Sequence, residues 1–121
     1  MVDMRLGLIY GSTRENRFCD TVANWAAGEI ANYGGFSLKA IDPKALGSPL
    51  WSGSGDNPGL HTLRRRLAWA DAFVVVTPEF NHGYPAVLKD VIDAVYGEWQ
   101  AKPVAFVCYG GISGGLRAVE Q

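Results

Sequence analysis

The alternation of apolar runs with amphipathic stretches constrains this chain more than any other feature. Four apolar runs of strand length recur, at residues 6–10, 36–41, 72–77 and 104–109. The first, third and fourth are nearly continuous, as in strands buried on both faces of a parallel sheet. The second alternates Phe36, Leu38 and Ala40 with Ser37 and Lys39, the pattern of an edge strand. Between the runs lie helical patterns. Residues 21–33 place Val22, Trp25, Ala26, Ile30 and Tyr33 on one stripe, which Gly34 and Gly35 end. Residues 60–70 turn Leu63, Leu67 and Ala70 inward and leave Arg64, Arg65 and Arg66 outside, as a solvated face rather than a site for a nucleotide 2′-phosphate. A third helix is expected over 86–98, with Val87, Val91, Ala94 and Val95 inward, and a fourth begins over 114–121. Strands and helices alternating in this way imply right-handed βαβ crossovers and a parallel sheet. The expectation is a single α/β domain spanning residues 1–121.

Composition narrows the function. A chain of 121 residues, 48% hydrophobic and 19% charged, can pack one core. Its net charge of −1 excludes a strongly basic nucleic-acid binder, so no nucleic-acid partner is expected. No apolar run is long enough to cross a bilayer and none has signal-peptide length, so no membrane partner and a cytoplasmic location are expected. Cys19 and Cys108 are too few for a disulfide scaffold or a zinc site, and no metal site is expected. Residues 47–59, rich in Gly, Ser, Pro and Asn, are expected to form a surface loop that is a lid or simply mobile.

In open α/β sheets ligands bind beyond the carboxyl ends of the strands, so the segments after the buried strands carry the candidate chemistry. The first is Gly11-Ser12-Thr13-Arg14, followed by Arg17, Phe18 and Cys19 at the start of a helix. Free N–H groups at a helix start favour an anion, Gly11 permits a tight turn, and Arg14 and Arg17 offer charge-assisted bonds to phosphate. An ordinary helix cap with solvated arginines fits the same spacing. The second segment, Pro78-Glu79-Phe80-Asn81-His82-Gly83-Tyr84-Pro85, is stiffened by two prolines. It would either border a flat heterocycle, with the Asn81 amide and Glu79 carboxylate available, or be a rigid turn in which Glu79 caps something nearby. The third, Tyr109-Gly110-Gly111-Ile112-Ser113-Gly114-Gly115, contains G-x-S-x-G between strand and helix. A hydrolase would require an acid and then a histidine after Ser113; only Glu120 follows and no histidine does, so that reading fails. The glycines suit close approach of backbone to a flat ligand instead.

Together GSTR, PEFNHGYP and YGGISGG resemble the segments of the NADPH-dependent FMN reductase family, flavodoxin-like enzymes that include quinone, azo-dye and chromate reductases. The resemblance extends over nearly the whole chain, and PEFN is its most specific part; Phe80 stands where Tyr is more usual. It implies a three-layer flavodoxin-like fold with sheet order 2-1-3-4. It implies that Gly11, Ser12, Arg14 and the backbone at Arg17, Phe18 and Cys19 hold the FMN phosphate. Pro78, Glu79, Phe80, Asn81 and Gly83 would edge the isoalloxazine, and Tyr109, Gly110 and Gly111 would pass along its pyrimidine side. The implied activity is ping-pong hydride transfer from NAD(P)H to FMN and on to a small acceptor: a quinone, free flavin, azo compound or metal oxyanion. No side chain is expected to act as acid, base or nucleophile. The alternative is a truncated, non-catalytic FMN-binding or subunit-interaction module. Family members continue into a fifth strand, whose absence would leave Val104–Tyr109 as a bare apolar edge. The expectation is that another subunit covers this edge, as in a homodimer or homotetramer, or that the chain is a truncated product.

Overall fold

A computed structural model describes residues 2–47, 49–50 and 56–121. The elements are β1 (Met4–Tyr10), α1 (Cys19–Tyr33), β2 (Phe36–Ile41), α2 (Pro43–Leu46), α3 (Pro58–Trp69), β3 (Ala72–Pro78), α4 (Ala86–Asp93), a 3-10 turn (Gly97–Trp99), β4 (Val104–Tyr109) and α5 (Leu116–Glu120). The strands form one sheet in the order β2-β1-β3-β4, parallel throughout, and the expected 2-1-3-4 order stands.

Successive strand residues point to opposite faces, so the apolar runs build two cores. On one face Ile9, Ile41, Phe73 and Val75 pack with Leu63 and Leu67 of α3 and Leu88, Val91 and Val95 from the α4 region. On the other, Leu8 and Val76 pack with Cys19 and Ala23 of α1. Gly7 marks close packing within the first core: a Cβ there would lie 2.9 Å from the Ile41 side chain.

Several elements differ from expectation. Helix α1 buries Cys19, Ala23 and Ala26, whereas Trp25 and Tyr33 are 61% and 85% exposed. Small side chains let this helix lie close to the sheet, and the bulky aromatics fall outside that contact. Helix α4 stops at Asp93, and Trp99 folds back so that its ring meets Phe73 edge-on at 5.0 Å while Nε1 donates to the Ile92 carbonyl at 3.0 Å. Trp99 is therefore partly buried against the first core, and Tyr96 is exposed. The short helix α2 has no signal in the hydrophobic pattern; Asp42 caps it by accepting from Lys44 N at 3.0 Å. Helix α3 begins at Pro58, where Asn57 accepts from the N–H groups of Gly59 and Leu60. Residues 48 and 51–55 of the expected loop at 47–59 lie outside the described residues.

Helix α5 is shorter than expected and begins after Gly115. Strand β4 is not buried on both faces: Val104 and Phe106 are 46% and 47% exposed, and among the described residues β4 pairs with β3 alone, at the edge of the sheet. The basic face of α3 is not wholly solvated, since Arg66 donates to the Ala40 carbonyl at 3.2 Å.

Candidate functional site

The carboxyl ends of β1, β3 and β4 bring the three candidate segments together. Gly11 N donates to the Val76 carbonyl at 2.7 Å, and a Cβ on Gly11 would also sit 2.7 Å from that oxygen. Only glycine lets the chain leave β1 so close to β3. Glu79 N then donates to the Tyr109 carbonyl at 3.0 Å, extending the β3–β4 ladder into the two adjoining loops.

In the first segment Ser12 is buried and its Oγ accepts from Arg14 N at 3.3 Å. The exposed Arg14 guanidinium lies 3.7 Å over the Phe80 ring, a cation–π contact that ties the first segment to the second. Arg17 turns inward, its side chain only 6% exposed, and binds Asp42, Asp20 and the Ser12 carbonyl. These bonds, Asp42 foremost, push its already high pKa further up. The Phe18 ring is largely exposed and meets Tyr109 edge-on at 5.7 Å. The Cys19 thiol is buried against the Val76 carbonyl, and burial pushes its pKa up, so its side chain belongs to the core. Helix α1 has no side-chain cap at Phe18. Without a side-chain cap, the N–H groups of its first turn suit an anion or water.

The second segment is a tight two-residue turn. Phe80 and Gly83 exchange backbone hydrogen bonds of 2.8 and 3.0 Å, and Asn81 and His82 between them have φ of 49° and 67°. Both central residues are left-handed, as a type I′ turn requires. Pro78 is buried at the end of β3 and the Asn81 side chain is exposed.

Glu79 turns toward the third segment, its side chain 5% exposed. Oε2 accepts from Ser113 Oγ and Arg117 Nε, each at 2.7 Å, and Oε1 accepts from the N–H groups of Arg117 and Ala118 at 2.9 and 3.2 Å. Arg117 Nη2 completes an ion pair with the same carboxylate. The Arg117 hydrogen bond, helped by Ser113 and the Ala118 N–H, holds this carboxyl at about 2. Glu79 thus caps α5, and Ser113 donates to a carboxylate with no imidazole between them. Arg117 Nη1 also lies 3.0 Å from His82 Nε2.

Gly110 and Gly111 are exposed in the same loop, and a Cβ on Gly111 would meet nothing within 4 Å, leaving room for a ligand to approach the backbone. Tyr109 is half-buried, and burial pushes its phenol up.

Asp42, Asp20, Arg117 and the bonded role of Ser113 were missed in the sequence. Asp42 directly succeeds β2, and that position at a strand's carboxyl end is its one sequence signal; nothing in the local pattern around Arg117 points to Glu79. A groove of about 750 Å3 beside Lys39, Arg65, Arg66 and Trp69 lies on the flank of the sheet, away from these loops. Its basic groups are engaged with Trp69, Thr62 and the Ala40 carbonyl.

The uncapped helix start, the buried serine and the glycine-lined loop suit a phosphate joined to a flat ring, so the donor set fits a flavin mononucleotide. Among described residues no helix is long and apolar enough to cross a membrane, and no group of three His, Cys, Asp or Glu side chains is placed to hold a metal ion.

Known proteins resemble this chain in sequence and in fold. An NAD(P)H-dependent FMN reductase of Schizosaccharomyces pombe is 38% identical over 89% of this chain and 58% of its own length. An NAD(P)H-dependent FMN reductase of Saccharomyces cerevisiae is 30% identical over 98% of this chain and 71% of its own. The solved apo structure of an NADH:FMN oxidoreductase superposes with a TM-score of 0.83 at 21% identity, over 97% of this chain and 64% of that one, and establishes the flavodoxin-like fold. The chain therefore spans less than two thirds of the S. pombe relative. The family profile matches residues 4–121, which takes in all three loops, and the chain belongs to the NADPH-dependent FMN reductase family.

Proposed function

We propose that this chain binds FMN across the three loops and serves as an NAD(P)H-dependent oxidoreductase for small acceptors. The observation that carries the reading is the Arg14–Phe80 contact at 3.7 Å, which joins the loop after β1 to the PEFN turn. Ser12, Arg14 and the backbone at Arg17, Phe18 and Cys19 would hold the phosphate. Pro78, Phe80, Asn81 and Gly83 would border the ring from one loop, and Tyr109, Gly110 and Gly111 from the other. Glu79 acts on the protein side, keeping the two ring-bordering loops together.

The chemistry that bound FMN supplies is hydride exchange with NAD(P)H in one half-reaction and with a quinone, free flavin, azo compound or metal oxyanion in the other. The residues orient and bond; no side chain in the loops is set as nucleophile or base. Both cysteines are free thiols, which suits the cytoplasm. The half-exposed Val104 and Phe106 on the β4 edge support a homodimer or homotetramer. The same edge favours a second reading, an FMN-binding module without turnover.

The test is a visible spectrum of the purified chain after FMN loading and removal of excess, followed by anaerobic NADPH. Retained yellow flavin that bleaches is the expected result. Retained flavin that stays yellow would select the second reading, and no retained flavin would overturn both.

A further inference from the structure

The loop after β1 carries two arginines, and the structure gives them different work. Arg14 is exposed, whereas every nitrogen of the Arg17 guanidinium is engaged within the protein. Nη1 donates to Asp42 Oδ1 at 2.8 Å and to the Ser12 carbonyl at 2.6 Å, Nη2 to Asp42 Oδ2 at 2.6 Å, and Nε to Asp20 Oδ1 at 3.1 Å. Two carboxylates compensate one guanidinium, so Arg17 presents no surplus charge to a ligand. What it holds is Ser12, whose Oγ in turn accepts from Arg14 N.

Asp42 is well placed to anchor this chain of contacts. It directly succeeds β2, accepts from Lys44 N as the cap of α2, and precedes the buried Pro43. The planar fork of Arg17 across both Asp42 oxygens leaves little freedom in the guanidinium plane. That plane sets where the Ser12 carbonyl lies.

We propose that Asp42 is a positioning residue of the flavin-phosphate site: acting through Arg17 it fixes Ser12, and with it the shape of residues 12–14, without touching the ligand. The inference rests on the FMN reading above. It implies that discrimination between FMN and unphosphorylated riboflavin depends on a carboxylate at the end of β2.

The experiment measures FMN and riboflavin affinities of the purified chain by quenching of flavin fluorescence. Asp42→Asn is the main variant. Its amide retains an oxygen for Lys44 N, and Asp20 still compensates Arg17, so no buried charge is stranded. FMN affinity is expected to fall about tenfold, the scale of a hydrogen bond to a charged group, while riboflavin affinity holds within about twofold. Arg17→Lys keeps the charge but loses the fork, and the same FMN-selective loss is expected. In an Arg17→Gln background, Asp42→Asn should have no further effect on FMN.

Equal weakening of both flavins would make Asp42 a purely structural residue and overturn the inference. So would unchanged FMN binding, or a full tenfold loss persisting without Arg17. A wild-type chain that binds neither flavin would instead overturn the FMN reading, and the inference with it.

Discussion

The Glu79 carboxylate at the end of β3 accepts from both the backbone and the guanidinium of Arg117, 38 residues further along the chain. Through this pair the turn at residues 80–83 and the start of α5 become one unit. A residue expected to border the ring thus ties the PEFN turn to the loop before α5.

The pair makes the loop cluster sensitive to acid. The folded-state pKa of Glu79 is lowered from 4.5 to about 2, so its contribution is fully present above 4.5 and is lost as pH falls through about 2. The amide proton shifts of Arg117 and Ala118 should titrate toward the low end of that window; a midpoint near 4.5 would contradict the clamp. At neutral pH, Glu79→Gln should speed exchange of these two amides about tenfold.

Two glycines in one loop should separate stability from binding. Gly115 has φ of 95° and a Cβ there would lie 2.6 Å from Cys108 Cβ, whereas a Cβ on Gly111 meets open space. Gly115→Ala should cost about 1–3 kcal/mol in urea unfolding. Gly111→Ala should stay within about 0.5 kcal/mol yet weaken FMN binding, because the added methyl occupies the ligand's side of the loop.

Arg14 is the exposed cation of the first loop. Arg14→Ala should weaken FMN about ten- to a hundredfold, with riboflavin less affected. The melting temperature should barely move, since the Arg14 guanidinium stacks on Phe80 at the protein surface, where such a pair is weak. A large drop in melting temperature would show that Arg14 supports the fold instead.

The β4 edge should govern self-association. Val104 and Phe106 leave a half-exposed apolar strip on β4, the edge strand of the sheet among the described residues. Sedimentation velocity should show association that rises with concentration, and Val104→Lys should suppress it, because a charged edge resists pairing. Identical sedimentation of the two proteins would exclude this edge as the contact.

The strands and the three loop segments were legible in the sequence because each depends on local pattern: apolar runs for buried strands, glycine and proline for the loops at their carboxyl ends; the strand order came only with the family resemblance. The orientation of α1 was less legible, because Trp25 and Tyr33 read as core residues by hydrophobicity, yet the helix packs through Cys19, Ala23 and Ala26. Contact distance there selected size over hydrophobicity.

What the sequence determined by itself is therefore the βα alternation and the residue types gathered at the carboxyl ends of the strands. Which of those charged residues are bonded inside the protein was decided only in three dimensions. Arg14 and Arg17 are three positions apart with the same charge, and Glu79 sits within the most recognisable segment, but Arg17 and Glu79 are drawn inward by Asp42 and Arg117. Those partners lie 25 and 38 residues away, and an ion pair forms wherever folding brings opposite charges together. No local spacing encodes that meeting, because it depends on sheet order and on where each strand ends.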